Sequence, residues 1–512
     1  MLSELPILPA TRAFLERKLK MRIGADWQDA ASGRTLSFRN PATGEVLGEV
    51  PAAEAEDVDR AVRAARQAFD DSPWSRMRPR ERQNLLWRLA DLMERDARQL
   101  AELECLNNGK SAAVAQVMDV QLAIDFLRYM AGWATKIEGS TVEASMPLMP
   151  NDQFHGFVRR EAVGVVGAIV AWNFPLLLAC WKLGPALATG CTVVLKPADE
   201  TPLSVLKLAE LVDEAGYPAG VFNVVTGTGL NAGAALSRHP GVDKLTFTGS
   251  TEVGKLIGKE AMDNMTRVTL ELGGKSPNII FADADLDSAI NGAVAGIYAA
   301  SGQSCVAGSR LLVQDEIFDE FVERLIARAK RIRIGNPQDD ASEMGPMATA
   351  QQLAVVEGLV AAAKAEGAKL HMGGKRADVE GDGWFYEPTL FECDSNAMTI
   401  MQEEVFGPVA AVIRFKTEEE ALAMANDSQF GLAAGIWTRD LGRAHRLARD
   451  VRSGIIWVNT YRAVSAMAPI GGFKNSGYGR ESGIDSVLAY TELKTVWINL
   501  STAPMPDPFV MR

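Results

Sequence analysis

The chain has 512 residues, 47% of them hydrophobic, and a formal net charge of −12 from 65 acidic and 53 basic side chains. That length exceeds one ordinary core and predicts two or three domains. The acidic balance, without a run of like charge, argues against nucleic acid or an anionic membrane as partner.

The five cysteines, Cys105, Cys180, Cys191, Cys305 and Cys393, form no CxxC pair, and the four histidines are scattered. A disulfide framework and a histidine-based structural zinc site are therefore not expected, no metal is assigned, and a cytoplasmic setting fits best. Arg12, Arg17, Lys18 and Lys20 are followed by no apolar run, so no secretory leader is expected.

Residues 55–70 and 80–104 carry apolar side chains at helical spacing, the second with Leu85, Leu86, Leu89, Leu92 and Met93 on one face. Residues 162–181 are apolar except for Asn173 and approach the length of a membrane span. Asn173 and Pro175 interrupt them, and Gly164 and Gly167 weaken a helix, so they read as a buried strand, a loop and a helix start.

From there β-rich runs alternate with helical stretches. Strands are predicted at 165–170, 192–195, 221–225, 245–248 and 267–270, with helices at 201–215, 232–237 and 250–262. Short, almost wholly apolar strands between helices predict a parallel sheet covered on both faces, the doubly wound α/β architecture. Beyond Gly273 the alternation resumes, with strands at 278–281, 311–314, 409–415, 434–437 and 455–459. Helices are predicted at 286–300, 316–332, 417–426 and 441–450.

The expected fold is α/β, with two doubly wound domains meeting at 271–274. Residues 1–138 and 161–272 form the first, and 273–484 the second. Residues 139–160 and 490–500 look extended and fit neither sheet; paired, they would make a small β flap suited to contact between copies of the chain. The tail 501–512 holds three prolines and no periodicity. With the end of the chain from 485, these segments form the third unit.

Cys305 lies in Ser301-Gly302-Gln303-Ser304-Cys305-Val306-Ala307-Gly308, where small neighbours leave room for a substrate. It is a nucleophile or a buried core cysteine. Glu271 precedes Gly273-Gly274 at a strand end, where a mobile carboxylate serves as a general base and an idle one is merely solvated. Asn173, in Ala171-Trp172-Asn173-Phe174-Pro175, follows a buried strand; its amide can donate to an oxyanion beside the Cys305 N–H, cap the turn, or both.

Lys196 and Asp199 follow a strand end, where an ammonium and a carboxylate grip ribose hydroxyls, or simply lead into a helix. Phe247-Thr248-Gly249-Ser250-Thr251-Glu252-Val253-Gly254 runs from strand to helix N-terminus, a phosphate-ready turn. Gly227-Thr228-Gly229-Leu230-Asn231-Ala232-Gly233 approaches GxGxxG but has one residue too many.

These segments, with Glu403-Glu404-Val405-Phe406-Gly407-Pro408 and residues 469–483, resemble the aldehyde dehydrogenase superfamily over nearly the whole chain, in the family's order and spacing. The resemblance implies NAD-dependent oxidation of an aldehyde to its acid. Cys305 would form the thioester, Asn173 would hold the oxyanion, and Glu271 would activate water. Lys182 and Glu481 match positions associated with a proton relay. The cofactor would meet Ala171, Trp172, Lys196, Asp199, Gly229, Gly233, Phe247, Gly249, Ser250, Thr251, Gly254, Leu272, Glu404 and Phe406.

Asp199 stands where the family usually has glutamate, a carboxylate that still repels a 2′-phosphate and so favours NAD over NADP. Ala171 replaces the usual proline. Ile470 and Ala299 open space, while Phe174, Leu177, Trp181, Leu122 and Val464 supply apolar walls, with Ser304 and Val306 beside the thiol and Arg462 near the mouth. The segment Phe126-Leu127-Arg128-Tyr129-Met130-Ala131-Gly132-Trp133 looks like the bacterial phenylacetaldehyde dehydrogenase branch, which shares much with betaine-aldehyde and aminoaldehyde enzymes. A small aldehyde is the expected substrate, aromatic or medium-chain, and the family implies a homo-oligomer, dimer or tetramer. Arg462 keeps a carboxylate-bearing substrate open.

Overall fold

The apolar stretch at 162–181 divides in a computed structural model of the protein, which describes residues 6–145, 153–505, 507 and 509. Val165–Ile169 is a fully buried strand, and Pro175–Thr189 is a helix that opens on proline and closes on left-handed Gly190 (φ +97°). Proline suits a first helical turn, where its missing N–H costs nothing, and glycine alone takes the left-handed closure without penalty. Among the described residues, no helix is long and apolar enough to cross a membrane.

Val165–Ile169 is the middle of the first sheet. Five parallel strands lie in the order Phe222–Val224, Thr192–Lys196, Val165–Ile169, Lys244–Thr248, Arg267–Glu271. The chain winds outward in one direction, returns to the middle, and winds the other way. The reversal falls between Val165–Ile169 and Lys244–Thr248. Loops leaving the carboxyl ends of those strands part there and open a crevice. Gly477–Tyr478, from far down the chain, closes one edge antiparallel to Arg267–Glu271. The late segment at 477–481 is thus tied to the first sheet, across the division expected at 272/273.

The second sheet runs Lys369–Met372, Thr389–Glu392, Val409–Phe415, Arg310–Gln314, Pro277–Ile280, Ala433–Trp437, Ile455–Val458, all parallel except the first. Leu311, Leu312, Val313, Ile279 and Ile280 at its centre are fully buried, as continuous apolar runs in a two-sided sheet must be. Thr491–Asn499 pairs antiparallel with Phe154–Ala162, which pairs with Ser140–Val142. Residues 146–152 of the expected flap, and 506, 508 and 510–512 of the tail, lie outside the described residues.

Some boundaries differ from expectation. The helical spacing at 80–104 covers two helices, Pro79–Arg95 and Ala97–Asn108, which bend at Asp96 without proline or glycine to announce it. The helix expected to reach 300 stops at Ile297 because Ala300, Ser301 and Gly302 turn left-handed. The helix expected over 316–332 is regular only over Phe318–Ala329.

Candidate active site

Three parallel strands of the first sheet end at one crevice. Ala171–Phe174 follows Val165–Ile169, Gly249 and Ser250 follow Lys244–Thr248, and Glu271 is the last residue of Arg267–Glu271. They line a cavity of about 320 Å³ together with Cys305, Glu404, Phe406 and Arg462 from the second half of the chain.

The loop carrying Cys305 is bent by left-handed Ala300 (φ +52°), Ser301 (φ +55°) and Gly302 (φ +72°). Each non-glycine residue there costs about 1–2 kcal/mol, so the surroundings must enforce the bend. Ser301 Oγ donates to the Gly345 carbonyl at 2.8 Å, and Gln303 Oε1 accepts from the Ala348 N–H at 2.8 Å. A Cβ on Gly302 would stand 2.0 Å from the Gly407 carbonyl oxygen, and one on Gly274 2.3 Å from that of Cys305. The loop is pinned where its backbone touches backbone.

Four of the five cysteines are buried, and Cys305 alone is partly exposed. The core-cysteine alternative therefore applies to the other four. Burial, then the nearby carboxylates of Glu404 and Glu271, push the Cys305 thiol up to about 12, while Arg462 opposes them. The sulfur is thus held toward its thiol form, and a nucleophilic role would need a base.

Glu271 is 7% exposed and its Oε1 has no partner. Burial and the negative charge of Glu481 hold its carboxyl well above the usual carboxylate range, against Lys182 and Arg480. It is thus not the solvated strand-end glutamate. A Cβ on Gly471 would lie 2.9 Å from Oε1, so glycine there keeps that oxygen clear. Behind it, Lys182 is wholly buried, donates to Thr248 Oγ1 at 2.8 Å and pairs with Glu481. Thr246 Oγ1 bonds the same carboxylate at 3.2 Å.

Asn173 Nδ2 donates one N–H to the Gln303 carbonyl at 3.1 Å, which leaves the second for the cavity. The peptide around it is clamped from a distant helix end. Asn108 Nδ2 donates to the Trp172 carbonyl at 2.6 Å, Lys110 Nζ to the Asn173 carbonyl at 2.7 Å, and the Leu176 N–H to Glu104 Oε1 at 3.1 Å. Lys110 is itself paired with buried Asp119 at 2.5 Å. Burial raises the Asp119 carboxyl to about 8, with Lys110 opposing and Glu104 adding to the rise. Asp119 sits in a π-helical turn, Ala115–Gln121, whose neighbour Met118 lines the cavity. Sequence reasoning missed these braces; the one local trace is Asn107-Asn108-Gly109-Lys110, a polar turn closing a helix on left-handed Gly109 (φ +88°).

On the other side, Glu404 Oε1 accepts from the Gly274 N–H at 2.9 Å, and a Cβ on Gly273 would stand 2.2 Å from its Oε2. Burial raises the Glu404 carboxyl to about 7. Phe406, left-handed at φ +53°, meets Trp172 edge to face at 5.2 Å. Gln352 Nε2 holds that backbone through the Val405 carbonyl at 2.9 Å. Ser250 caps the helix Thr251–Asp263, so that helix aims its N-terminal N–H groups at the crevice.

Of the residues singled out in sequence, the cavity lining gathers Ala171, Trp172, Asn173, Phe174, Leu177, Trp181, Gly249, Ser250, Glu271, Leu272, Ser304, Cys305, Val306, Glu404, Phe406, Ile470 and Glu481. Lys182 stands one layer behind. Phe247 lies in the apolar core, its ring filling the space a Cβ on Gly249 would need, so it shapes the turn from beneath. Gly254 is covered by Leu272, and Thr251 Oγ1 bonds the Asn475 carbonyl at 3.3 Å. Lys196 pairs with Asp199, which borders a separate cavity of about 240 Å³. Gly229 and Gly233 bound a π-helical turn; a Cβ on Gly229 would meet nothing within 4 Å.

The profile of the Aldehyde dehydrogenase family matches residues 27–496. The (Z)-2-((N-methylformamido)methylene)-5-hydroxybutyrolactone dehydrogenase of Acinetobacter baylyi is 47% identical over 97% of this chain and 100% of its own length. Retinal dehydrogenase 2 of Mus musculus is 48% identical over 98% of this chain and 96% of its own. The NAD+ complex of aldehyde dehydrogenase from Bacillus cereus superposes with a TM-score of 0.94 at 45% identity, covering 97% of this chain and all of that one. A profile match across most of the chain, a near full-length structural likeness and a thiol, a carboxylate and an amide on one crevice agree: the chain belongs to the aldehyde dehydrogenase family.

Proposed function

We propose that the protein oxidises an aldehyde to its carboxylic acid with NAD, through a thioester on Cys305. The observation that carries this reading is the convergence of Cys305, Glu271 and Asn173 on one cavity. Cys305 Sγ attacks the aldehyde carbon and its proton passes to Glu271, whose raised basicity narrows the gap to a thiol near 12. The carbonyl oxygen becomes an oxyanion held by the Asn173 amide and the Cys305 N–H. Its collapse restores the C=O bond and releases hydride with both electrons; NAD, when bound, would supply the acceptor. Glu271 gives up the thiol's proton by way of the Lys182–Glu481 pair behind it and so returns to a carboxylate. It then takes a proton from water, the water oxygen adds to the thioester carbon, the C–S bond breaks to free the acid, and Glu271 returns that proton to Sγ.

The residues present fit NAD. The open side of Gly273 leaves Glu404 free to meet a ribose hydroxyl, the Ser250 turn offers N–H groups to a pyrophosphate, and Lys196 with Asp199 suits the second ribose. Asp199 repels a 2′-phosphate, which supports NAD over NADP. Glu271 also supports hydrolysis over transfer to coenzyme A, since a base that activates water wastes an acyl group meant for another acceptor.

Phe174, Leu177, Trp181, Val464 and Ile470 make the substrate walls apolar, which supports an aromatic or medium-chain aldehyde such as phenylacetaldehyde over betaine aldehyde or an aminoaldehyde, while Arg462 in the same lining keeps a semialdehyde as the alternative. NADH formation, without coenzyme A, is expected from phenylacetaldehyde and hexanal at higher kcat/KM than from acetaldehyde. Equal values, or strict dependence on coenzyme A, would overturn the reading.

Lys110→Met removes the clamp on the Asn173 carbonyl and leaves Asp119 alone. Displacing a donor by about 1 Å can cost on the order of 10²-fold. The expected result is a fall in kcat approaching that, with NAD affinity unchanged; unchanged kcat in the folded variant would remove Lys110 from the argument.

Exposed Leu493, Trp497, Ile498 and Leu500 around the Thr491–Asn499 strand support assembly of copies, a dimer or tetramer, and the reduced cysteines support a cytoplasmic setting. Sedimentation is expected to give a multiple of the 55.3 kDa chain; a monomer at micromolar concentration would exclude it.

A further inference from the structure

Arg462 puts a cation in a tunnel whose other walls are largely apolar. It lines the same cavity as Cys305, close enough to lower the thiol pKa. Among the described residues no carboxylate pairs with it. The better buried Arg22, by contrast, is fixed by both oxygens of Asp213 at 2.7–3.0 Å. Arg462 makes only long bonds, from Nη2 to the carbonyls of Gly296 at 3.3 Å and Ala299 at 3.5 Å, and its Nε is buried without an acceptor. Those carbonyls belong to the end of the helix Leu286–Ile297 and its exit turn, where partial negative charge steadies a cation without neutralising it. The residue is also left-handed, φ +60°, a conformation that arginine adopts only under constraint.

A partly buried guanidinium with spare donors costs free energy unless an anion completes it. Its planar fork fits a carboxylate with two parallel hydrogen bonds.

We propose that Arg462 binds a carboxylate on the substrate, so that the preferred aldehyde has an apolar middle, an aldehyde facing Cys305 and a carboxylate at the far end. The proposal rests on the reading of Cys305 as the aldehyde-attacking thiol. It refines the apolar-aldehyde reading: Phe174, Leu177 and Trp181 hold the middle of the molecule, and Arg462 selects its charge. A positively charged aldehyde is disfavoured by the same residue.

The test is a charge series at matched length. Butanal is compared with succinic semialdehyde, and hexanal with 6-oxohexanoate, with 4-trimethylammoniobutanal as the cation. Each is assayed as kcat/KM for NADH formation by the native enzyme, Arg462→Met and Arg462→Lys. A hydrogen-bonded charge pair is worth about 10- to 100-fold. The expected result is an anion preference of that size in the native enzyme at one of the two lengths, and the cation poorest. Arg462→Met should abolish the preference, read as the anionic-to-neutral ratio of kcat/KM within each variant so that any effect on the thiol cancels, and Arg462→Lys should restore part of it.

A native enzyme that takes neutral aldehydes as well as anionic ones at both lengths would overturn the proposal. So would an Arg462→Met variant, folded by its melting temperature, that loses neutral and anionic substrates alike, because that is the behaviour of a brace for the helix end. Failure of the parent reading is distinct: no aldehyde of any charge would then yield NADH with the native enzyme.

Discussion

Cys305→Ala is expected to abolish NADH formation, by at least about 10⁴-fold in kcat, the scale on which losing a covalent nucleophile acts. The variant should still bind NAD with native affinity, because the groups facing the cofactor, Glu404, the Ser250 turn and the Lys196–Asp199 pair, make no hydrogen bond to the sulfur. The other four cysteines are buried and cannot substitute. Activity in the variant within tenfold of native would refute the thioester route outright. Alanine also fits the loop, whose bend depends on Ala300, Ser301 and Gly302 and on backbone contacts, so folding should survive.

Glu271→Gln should slow both halves of the reaction, because this carboxylate takes the Cys305 proton before acylation and the water proton before hydrolysis. No rapid phase of NADH is expected, and the steady rate should fall by about 10²- to 10⁴-fold, the range for a general base. A steady rate equal to native would remove Glu271 from both steps. The same carboxylate sets the pH response. Its working form is the deprotonated one, and burial with the Glu481 charge holds its pKa above the ordinary carboxylate range. The carboxylate population, and with it kcat, should therefore rise as pH rises through that elevated pKa and fall away below it. An acid limb at an ordinary glutamate pKa would contradict the burial argument.

Much of this was legible in the sequence, for reasons particular to each element. Strands such as Val165–Ile169 and Thr192–Lys196 are buried on both faces, so their apolar runs have few other readings. The bend at Asp96 was not legible, because the apolar spacing continues across it. The π-helical turn at Ala115–Gln121 was hidden for the same reason: one extra residue in a turn changes which side chains face inward without changing composition. Cys305, Glu271 and Asn173 were legible as types in glycine-rich or strand-end settings. Lys110 and Asp119 were not, since their role depends on contacts with a segment more than 60 residues away. Arg462 was visible in sequence, but its lack of a carboxylate partner among the described residues belongs to the fold.

The backbone-to-backbone contacts around the thiol divide the site into parts that can and cannot change. Gly302 against Gly407 and Gly274 against Cys305 leave no room for even a methyl group, so every substitution there must move main chain. Val464, Ile470 and Arg462 line the cavity without such a glycine contact. Descendants of this sequence, natural or engineered, can therefore drift in what they accept while the backbone around the thiol stays the same. Libraries aimed at new aldehydes belong at those three positions, and the glycines should be left untouched.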